Sequence, residues 1–535
     1  MSHARITTAL FALCLILSPR AAQVYAGGVT GLAADAELVE TMMEVPRLKG
    51  AAAYEMKDNT LEMELSQYAG YSGLIVANGG LAPSEDSFFF KKHGFKLKIT
   101  ISESESWSPL NSGRIGASAT TADVLAVYGK QFQVVVPAQI GFSRGADGVL
   151  VASGIKRIND LKGKVLAVPQ FTEADFFIRY LIQEAGMEAN MLPDLKATPD
   201  RTKVNFVYTG DAEGAAAIFI RDLKAGRNRL AGAVSWAPFT TDAVQASEGK
   251  AHLLVTNRNL LVVADLLIVN RGFATANPKV VAGLVEGLLE GNRMVRDNPE
   301  AHLDTIARAF KWERAAAKSE LAKVHLSNLP ENLAFFSGAI DAAGSYNGIY
   351  QSAVYAYGST LIPNPVDGDR FLDLTHLKAL EAAGTFKNQQ IAIAPIRTAG
   401  AVVEGNPLLS KDIRFLFEPN SSNLNLNNPD NLKNLEVIRN LLQVSPGSTV
   451  LLRGHVDDAM IPQFRKQGGE QLVRTQALRA MELSRQRAIE IRNLLVNRYK
   501  VEPGRIDTVG RGWEEPLGTD SEQNRRVEVQ WFTLE

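Results

Sequence analysis

Cysteine is almost missing from this sequence: Cys14 is the only one in 535 residues. A single thiol allows no disulfide framework and no cysteine-ligated metal site. The seven histidines are scattered without metal-ligand spacing. Net charge is missing too, because 57 Lys and Arg face 58 Asp and Glu. That balance gives no electrostatic footprint for nucleic acid. The arginine-rich stretch from Arg474 to Arg505 is interspersed with Glu482, Glu490 and Glu502, so it reads as a solvated face. Beyond the N-terminus no run reaches the about 18 uninterrupted apolar residues of a membrane helix, and no nucleotide-binding motif is found. What is left is an ordinary globular composition, 46% hydrophobic and 21% charged, in a chain too long for one domain.

Residues 1–26 read as a secretory signal. Arg5 supplies the positive start, Ala9 to Leu17 the short apolar core, and Val24-Tyr-Ala26 the small-residue cleavage site. Cys14 lies inside that core behind bulky Leu13, which argues against lipidation. Cleavage there leaves a mature chain with no cysteine.

Three short pieces near the C-terminus carry chemistry. Ser448 to Val456 alternates like a strand and runs into the acidic pair Asp457-Asp458. Gln471 to Tyr499 has a helical pattern in which Ala480, Leu483, Ile491 and Leu494 share one face. Arg487 lies within that stripe, where an unpaired charge costs several kcal/mol. An Asp leaving a strand and an Arg on a helix suit a zwitterion, the carboxylate taking an ammonium and the guanidinium a carboxylate. The alternative is that the two pair with each other or with backbone.

Together with Ile413 to Phe417, the Gly510-Arg-Gly512-x-x-x-Pro516 turn and the terminal Asn524 to Val529 strand, these pieces resemble an OmpA-like peptidoglycan-binding domain over residues 411–535. The resemblance implies that Asp457 and Arg487 grip the diaminopimelate of the wall peptide, and that Arg525 and Arg526 are the family's terminal arginines. The sequence departs from the family at Val456, where Thr is usual, and at Ala480, where Asn is expected. The stretch from Asp457 to Arg487 is also long for the family, with Met460 to Gly469 as an inserted loop.

Upstream, after a weakly patterned lead-in, strand and helix signals alternate, which argues for an α/β fold. Strand patterns at Asn59–Leu65, Phe95–Ile101, Val165–Val168 and Leu230–Val234 are followed by turn or helix-start residues. In such sheets ligands collect at the carboxyl ends of strands, near helix N-termini. The order of the segments Leu110–Ala126, Ser143–Val151, Ile158–Val168 and Val234–Pro238 resembles periplasmic solute-binding proteins of the nitrate, sulfonate and taurine type. That resemblance implies two α/β lobes within residues 27–388 (core from about 59) closing on a small polar or anionic solute, and separate ABC-type permease and ATPase partners. Candidate solute contacts are Tyr68, Tyr71, Thr120, Thr121, Gln170, Thr172 and Trp236. For Thr120 and Thr172 the alternative is helix capping, each cap stabilising by about 1 kcal/mol; for Trp236 it is core packing. No Arg or Lys is unambiguously aimed at the cleft, so an anion is favoured only by the resemblance and by helix dipoles.

Residues 389–410, with Pro395, Gly400, Gly405 and Pro407, read as a linker which, if flexible, spans on the order of 25 Å. The whole implies a binding protein of the Gram-negative periplasm held to the cell wall, with no cofactor, no metal and no catalysis. Two rivals remain. One is a wall-anchored structural or signalling protein serving a membrane sensor. The other is an enzyme related to thiamine-pyrimidine synthases, whose cysteine-rich motif has no counterpart here. Intact-mass measurement of the exported protein should show a start near Gly27; a retained N-terminus or a lipid on Cys14 contradicts the signal.

Overall fold

The computed structural model describes residues 32–33, 36–102, 107–338, 345–393, 407–418, 421–445 and 447–532. Met1 to Ala26, Cys14 and residues 394–406 of the expected linker lie outside them. Strand β1 (Leu38–Val39) waits for a sheet built later. Strands β2 (Thr60–Ser66), β3 (Lys96–Ser102), β4 (Ala117–Thr121) and β5 (Val134–Ser143) begin the first sheet. The chain crosses at residues 144–146 into a second sheet. There it lays down β6 (Asp147–Ala152), β7 (Val165–Pro169), β8 (Ala189–Met191), β9 (Val204–Thr209), β10 (Gly232–Trp236) and β11 (Ala251–Thr256). It returns at residues 257–263 and completes the first sheet with β12 (Ala264–Asn270) and β13 (Val324–Leu326).

The spatial orders are β13-β5-β12-β4-β2-β3 in the first lobe and β1-β9-β7-β10-β6-β11 in the second, with β8 against β9. Alternation in β2 puts Leu61, Met63 and Leu65 inside. Strands β5, β7, β9 and β12 are buried along their whole length, which explains their near-continuous apolar runs. The helix Phe88–His93 starts where the Ser87 hydroxyl accepts from Phe90 N and stops at Gly94, whose φ of 72° suits a residue without Cβ.

Besides the helix Tyr346–Leu361, which packs on the helices Ala122–Tyr128 and Glu173–Glu184, two connections tie the lobes together. At the strand crossings the buried Asn257 side chain accepts from Gly145 N (2.7 Å) and donates to Asp147 Oδ2 (2.8 Å), while its own N–H reaches Asp147 O (3.0 Å). The lead-in is the other connection. Met42 is held by Gln170 of the second lobe, and Leu48 and Tyr54 by Gln131 and Asn270 of the first. These bonds come from distant side chains, so the segment has order without periodicity.

The third sheet has the order β14 (Leu409–Ile413), β17 (Val527–Phe532), β15 (Thr449–Gly454), β16 (Ile506–Gly510). Its first strand was expected at Ile413–Phe417 but runs earlier, beginning in the last two residues of the expected linker. It pairs Leu409 with Trp531 and Ile413 with Val527, and leaves the ladder where β17 has no further residue to offer. The domain is also seated on the second lobe and not held at the end of a free tether. Ile158 N donates to Leu408 O (2.9 Å), Asn159 and Ser410 exchange two bonds (2.9 and 3.0 Å), and Leu261 N donates to Val444 O (2.7 Å).

The expected inserted loop is helical. One helix covers Ile461–Asn497, broken only at Gly468 and Gly469. Its buried line is Ala480, Ser484, Ala488, Ile491 and Leu495, so the inner face is rotated from the expected stripe and Leu483, Arg487 and Leu494 are half-buried. The cause is a close approach. Gly454 and Gly510 pair across β15 and β16. A Cβ on Gly454 would meet Ser484 O at 2.1 Å, and one on Gly510 would meet Met481 O at 2.3 Å. Only small side chains fit between. Gly454→Ala or Gly510→Ala should therefore destabilise this domain by about 1–3 kcal/mol, seen as a lowered transition in scanning calorimetry. Gly504→Ala, with nothing within 4 Å of its Cβ position, should leave the transition in place.

Candidate functional site

Between the two lobes lies a chamber of about 20 Å³. Its walls are the ends of β2, β4, β5 and β10, the starts of β6 and β12, the turn after β2 and the first turn of the helix Glu173–Glu184. Four expected contacts line it: Tyr68, Tyr71, Thr121 and Trp236. Tyr68 and Tyr71 meet edge to face with centroids 5.3 Å apart. A larger recess of about 430 Å³ shares Ser66 and Trp236 with the chamber and is walled by Ile101, Phe239, Ala309, Phe310, Asp211, Glu213 and Lys311, among others.

The other three expected contacts are elsewhere. Thr120 is buried next to Thr121, but alternation along β4 turns it to the opposite face. Gln170 holds both backbone polar groups of Met42, at 2.9 and 2.7 Å. Thr172 precedes the helix Glu173–Glu184, yet its hydroxyl donates to Pro169 O (2.9 Å) and makes no cap bond. Helix capping by Thr120 is also set aside, since the residue before the helix Ala122–Tyr128 is Thr121, again without a cap bond.

Sequence reading missed Ser66, Ser143, Asp147, Glu173, Val263 and Asp265. Asp265 had a signal, as the one charge in the apolar run Leu260 to Val269. Asp147 is buried, and burial pushes its carboxyl up to about 6 against the hydrogen bonds from Ser143 and Asn257. Its Oδ2 takes those two bonds, while Oδ1 takes none. Behind the chamber, burial pushes Asp123 up to about 7, with Asp147 and Asp175 adding to the effect. Arg179 is used on Asp175 (2.7 Å) and Tyr208. No lysine or arginine lines the chamber, so its walls are acidic, contrary to what an anion would need.

A second pocket, about 460 Å³, lies in the C-terminal domain and brings together all four expected wall-binding residues, Asp457, Arg487, Arg525 and Arg526. Asp457 and Arg487 do not pair with each other. Arg487 donates to Ser421 O (3.2 Å) and lies over the Phe417 ring at 4.8 Å. Asp457 faces Arg525 at 3.5 Å and accepts from Ala459 N (3.2 Å). Burial lowers the Arg487 guanidinium, Arg525 adding to this and Asp457 opposing it. Arg526 is buried and fixed by Asp412 (2.8 Å), so its part is structural as well. Arg414, Phe417, Glu418, His455 and Leu483 also line the pocket, as does the departing residue Val456; Ala480 is on the buried helix face. Four arginines against two carboxylates make the pocket net positive.

Comparison with known proteins gives the class of each part. Residues 85–302 match the NMT1/THI5 like family, and residues 416–530 match the OmpA family. The chain thus joins an NMT1/THI5-like domain to a C-terminal OmpA domain. Among relatives, a binding protein of Brucella abortus (strain 2308) is 26% identical over 211 residues, which is 39% of this chain and 59% of that protein. The chain therefore spans about three-fifths of the length of the curated relatives it matches. Similar solved structures include the alkanesulfonate-binding protein SsuA of Xanthomonas axonopodis pv. citri bound to MOPS, at 15% identity and TM-score 0.44, covering 60% of this chain and 99% of that one. The nitrate-binding protein NrtA of Synechocystis PCC 6803 is 14% identical with TM-score 0.42, covering 63% and 91%.

The buried Asp123 yields a stability test. Its carboxyl binds protons more tightly folded than unfolded, so it lowers stability as pH rises from about 4 to 7 and holds that cost above 7. Asp123→Asn should match wild type near pH 4 and exceed it at pH 8 by on the order of 4 kcal/mol, measured by denaturant unfolding of ligand-free protein.

Proposed function

We propose that this chain is a periplasmic receptor that binds a small solute between its two lobes while its OmpA domain holds it to peptidoglycan. The solute would pass to a separate ABC-type permease and ATPase. The observation that carries the reading is the pairing of two sites in one chain. An enclosed interlobe chamber sits at the ends of strands, where open α/β sheets bind ligands, and a charged pocket sits in a domain of the OmpA family.

In the wall site Asp457 takes the ammonium of diaminopimelate, and Arg487, already oriented by Phe417 and Ser421 O, takes its carboxylate. Arg525 sits on the other side of Asp457 and adds attraction for the remaining carboxylates of the stem peptide. Charge-assisted bonds of this kind contribute about 1.5–3 kcal/mol each. Asp457→Ala and Arg487→Ala should each weaken sedimentation with purified sacculi at least about tenfold, with circular dichroism showing that the variants are folded. Asp458, which does not line the pocket, should matter less. If both variants sediment like wild type, the OmpA domain does not use this pocket.

For the chamber, Trp236→Ala should weaken capture of the solute carried by protein purified from its host, read by native mass spectrometry. Wild-type protein that carries nothing and shows no ligand-induced shift in melting temperature favours the sensor-facing rival.

A further inference from the structure

Building on the solute-binding reading, we infer that the solute is a primary amine, its ammonium group held in the chamber by Asp147 and its neighbours and its tail lying in the adjoining recess. The chamber offers acceptors and aromatic faces. Asp147, only 2% exposed, lines it with an Oδ1 that takes no hydrogen bond, and Tyr68 and Thr121, whose hydroxyls have Ser143 and Asp123 as polar neighbours, stand in the same walls. Buried acceptors left in this way are costly unless a donor arrives. An ammonium brings three donors and no acceptor. The carboxylates of Asp265 and Glu173 share the same walls and add negative potential. Tyr68, Tyr71 and Trp236 supply ring faces that attract a cation.

Size narrows the class. About 20 Å³ admits a group the size of one water, which fits a primary ammonium and is too small for a trimethylated one. The recess next door, with Ile101, Phe239, Ala309 and Phe310 on its walls, suits an alkyl tail. A bare metal ion fits less well. Among the described residues, the trio whose ligand atoms lie close enough for one ion is His455, Glu515 and Glu528 in the C-terminal domain, and there Arg453 already bonds to both glutamates. Burial pushes the Asp147 carboxyl up to about 6, and an ammonium beside it would draw it back toward the ionised form.

The test uses the full chain with four probes: n-butylamine, 1,4-diaminobutane, propane-1-sulfonate and nitrate. Melting temperature and tryptophan emission are read, with Trp236→Phe identifying the signal from the chamber. The expected result is that the amines raise the melting temperature and change the emission while the two anions do neither. Asp265→Asn and Glu173→Gln should each weaken amine binding by about tenfold or more. Asp147→Asn should do the same where circular dichroism shows it folded, since its second oxygen also braces the crossing. An anion that binds while the amines are silent overturns the amine assignment and leaves the solute-binding reading intact. Silence from all four probes overturns both. Amine binding unchanged in the Asp265 and Glu173 variants overturns the placement in the chamber.

Discussion

The two lobes depend on one buried amide. Asn257 lies on the return crossing and takes hold of the outgoing one through Gly145 N, Asp147 Oδ2 and Asp147 O. Gly145 N and the Asn257 amide would lose these partners in the interior without one another, while Asp147 Oδ2 would keep only Ser143. Through this contact the carboxylate of Asp147 serves two purposes at once. One oxygen stitches the crossings together, and the other, in a residue that lines the chamber, takes no hydrogen bond. Hinge geometry and binding-site geometry are therefore the same geometry, and a change in one is felt in the other.

In the C-terminal domain the corresponding constraint is steric. Two glycines in register let a long helix lie almost on the backbone of β15 and β16. The Ser484 hydroxyl, which accepts from Gly512 N (2.9 Å), fastens the turn that follows. This contact sets the rotation of the helix, and the rotation sets where Arg487 goes. With Ser484 and Ala488 facing inward, Arg487 emerges at the edge of the sheet over Phe417, beside the strand end that carries Asp457.

The α/β character, the position of the OmpA-like domain and all four of its pocket residues were legible in the sequence, because periodicity and ordered motifs are local. Four of the seven candidate contacts line the chamber, Tyr68, Tyr71, Thr121 and Trp236, because they sit at strand ends or turns. The misses are non-local. Gln170 looked like a helix-start ligand group, but residues 128 positions away occupy its amide. The acidity of the chamber comes from Asp147, Glu173 and Asp265, which three separate elements bring together. The inner face of the helix was misread because the glycines that turn it lie on strands, and an amphipathic pattern in the helix alone does not contain them. The strand at Leu409–Ile413 hid among linker residues, since its partner is at the far end of the chain.

The seating of the OmpA domain on the second lobe has a mechanical consequence. With the proposed wall binding, the pocket would fix that domain in the cell envelope, and the bonds at Asn159, Ile158 and Leu261 would extend the fixed frame to the second lobe. On that reading the sacculus, the C-terminal domain and the second lobe would form a stator, with the first lobe as the arm. Leu261 lies on the return crossing, two residues before Val263 of the chamber wall. Load on the wall would then reach the chamber through the Leu261–Val444 hydrogen bond and two residues of chain.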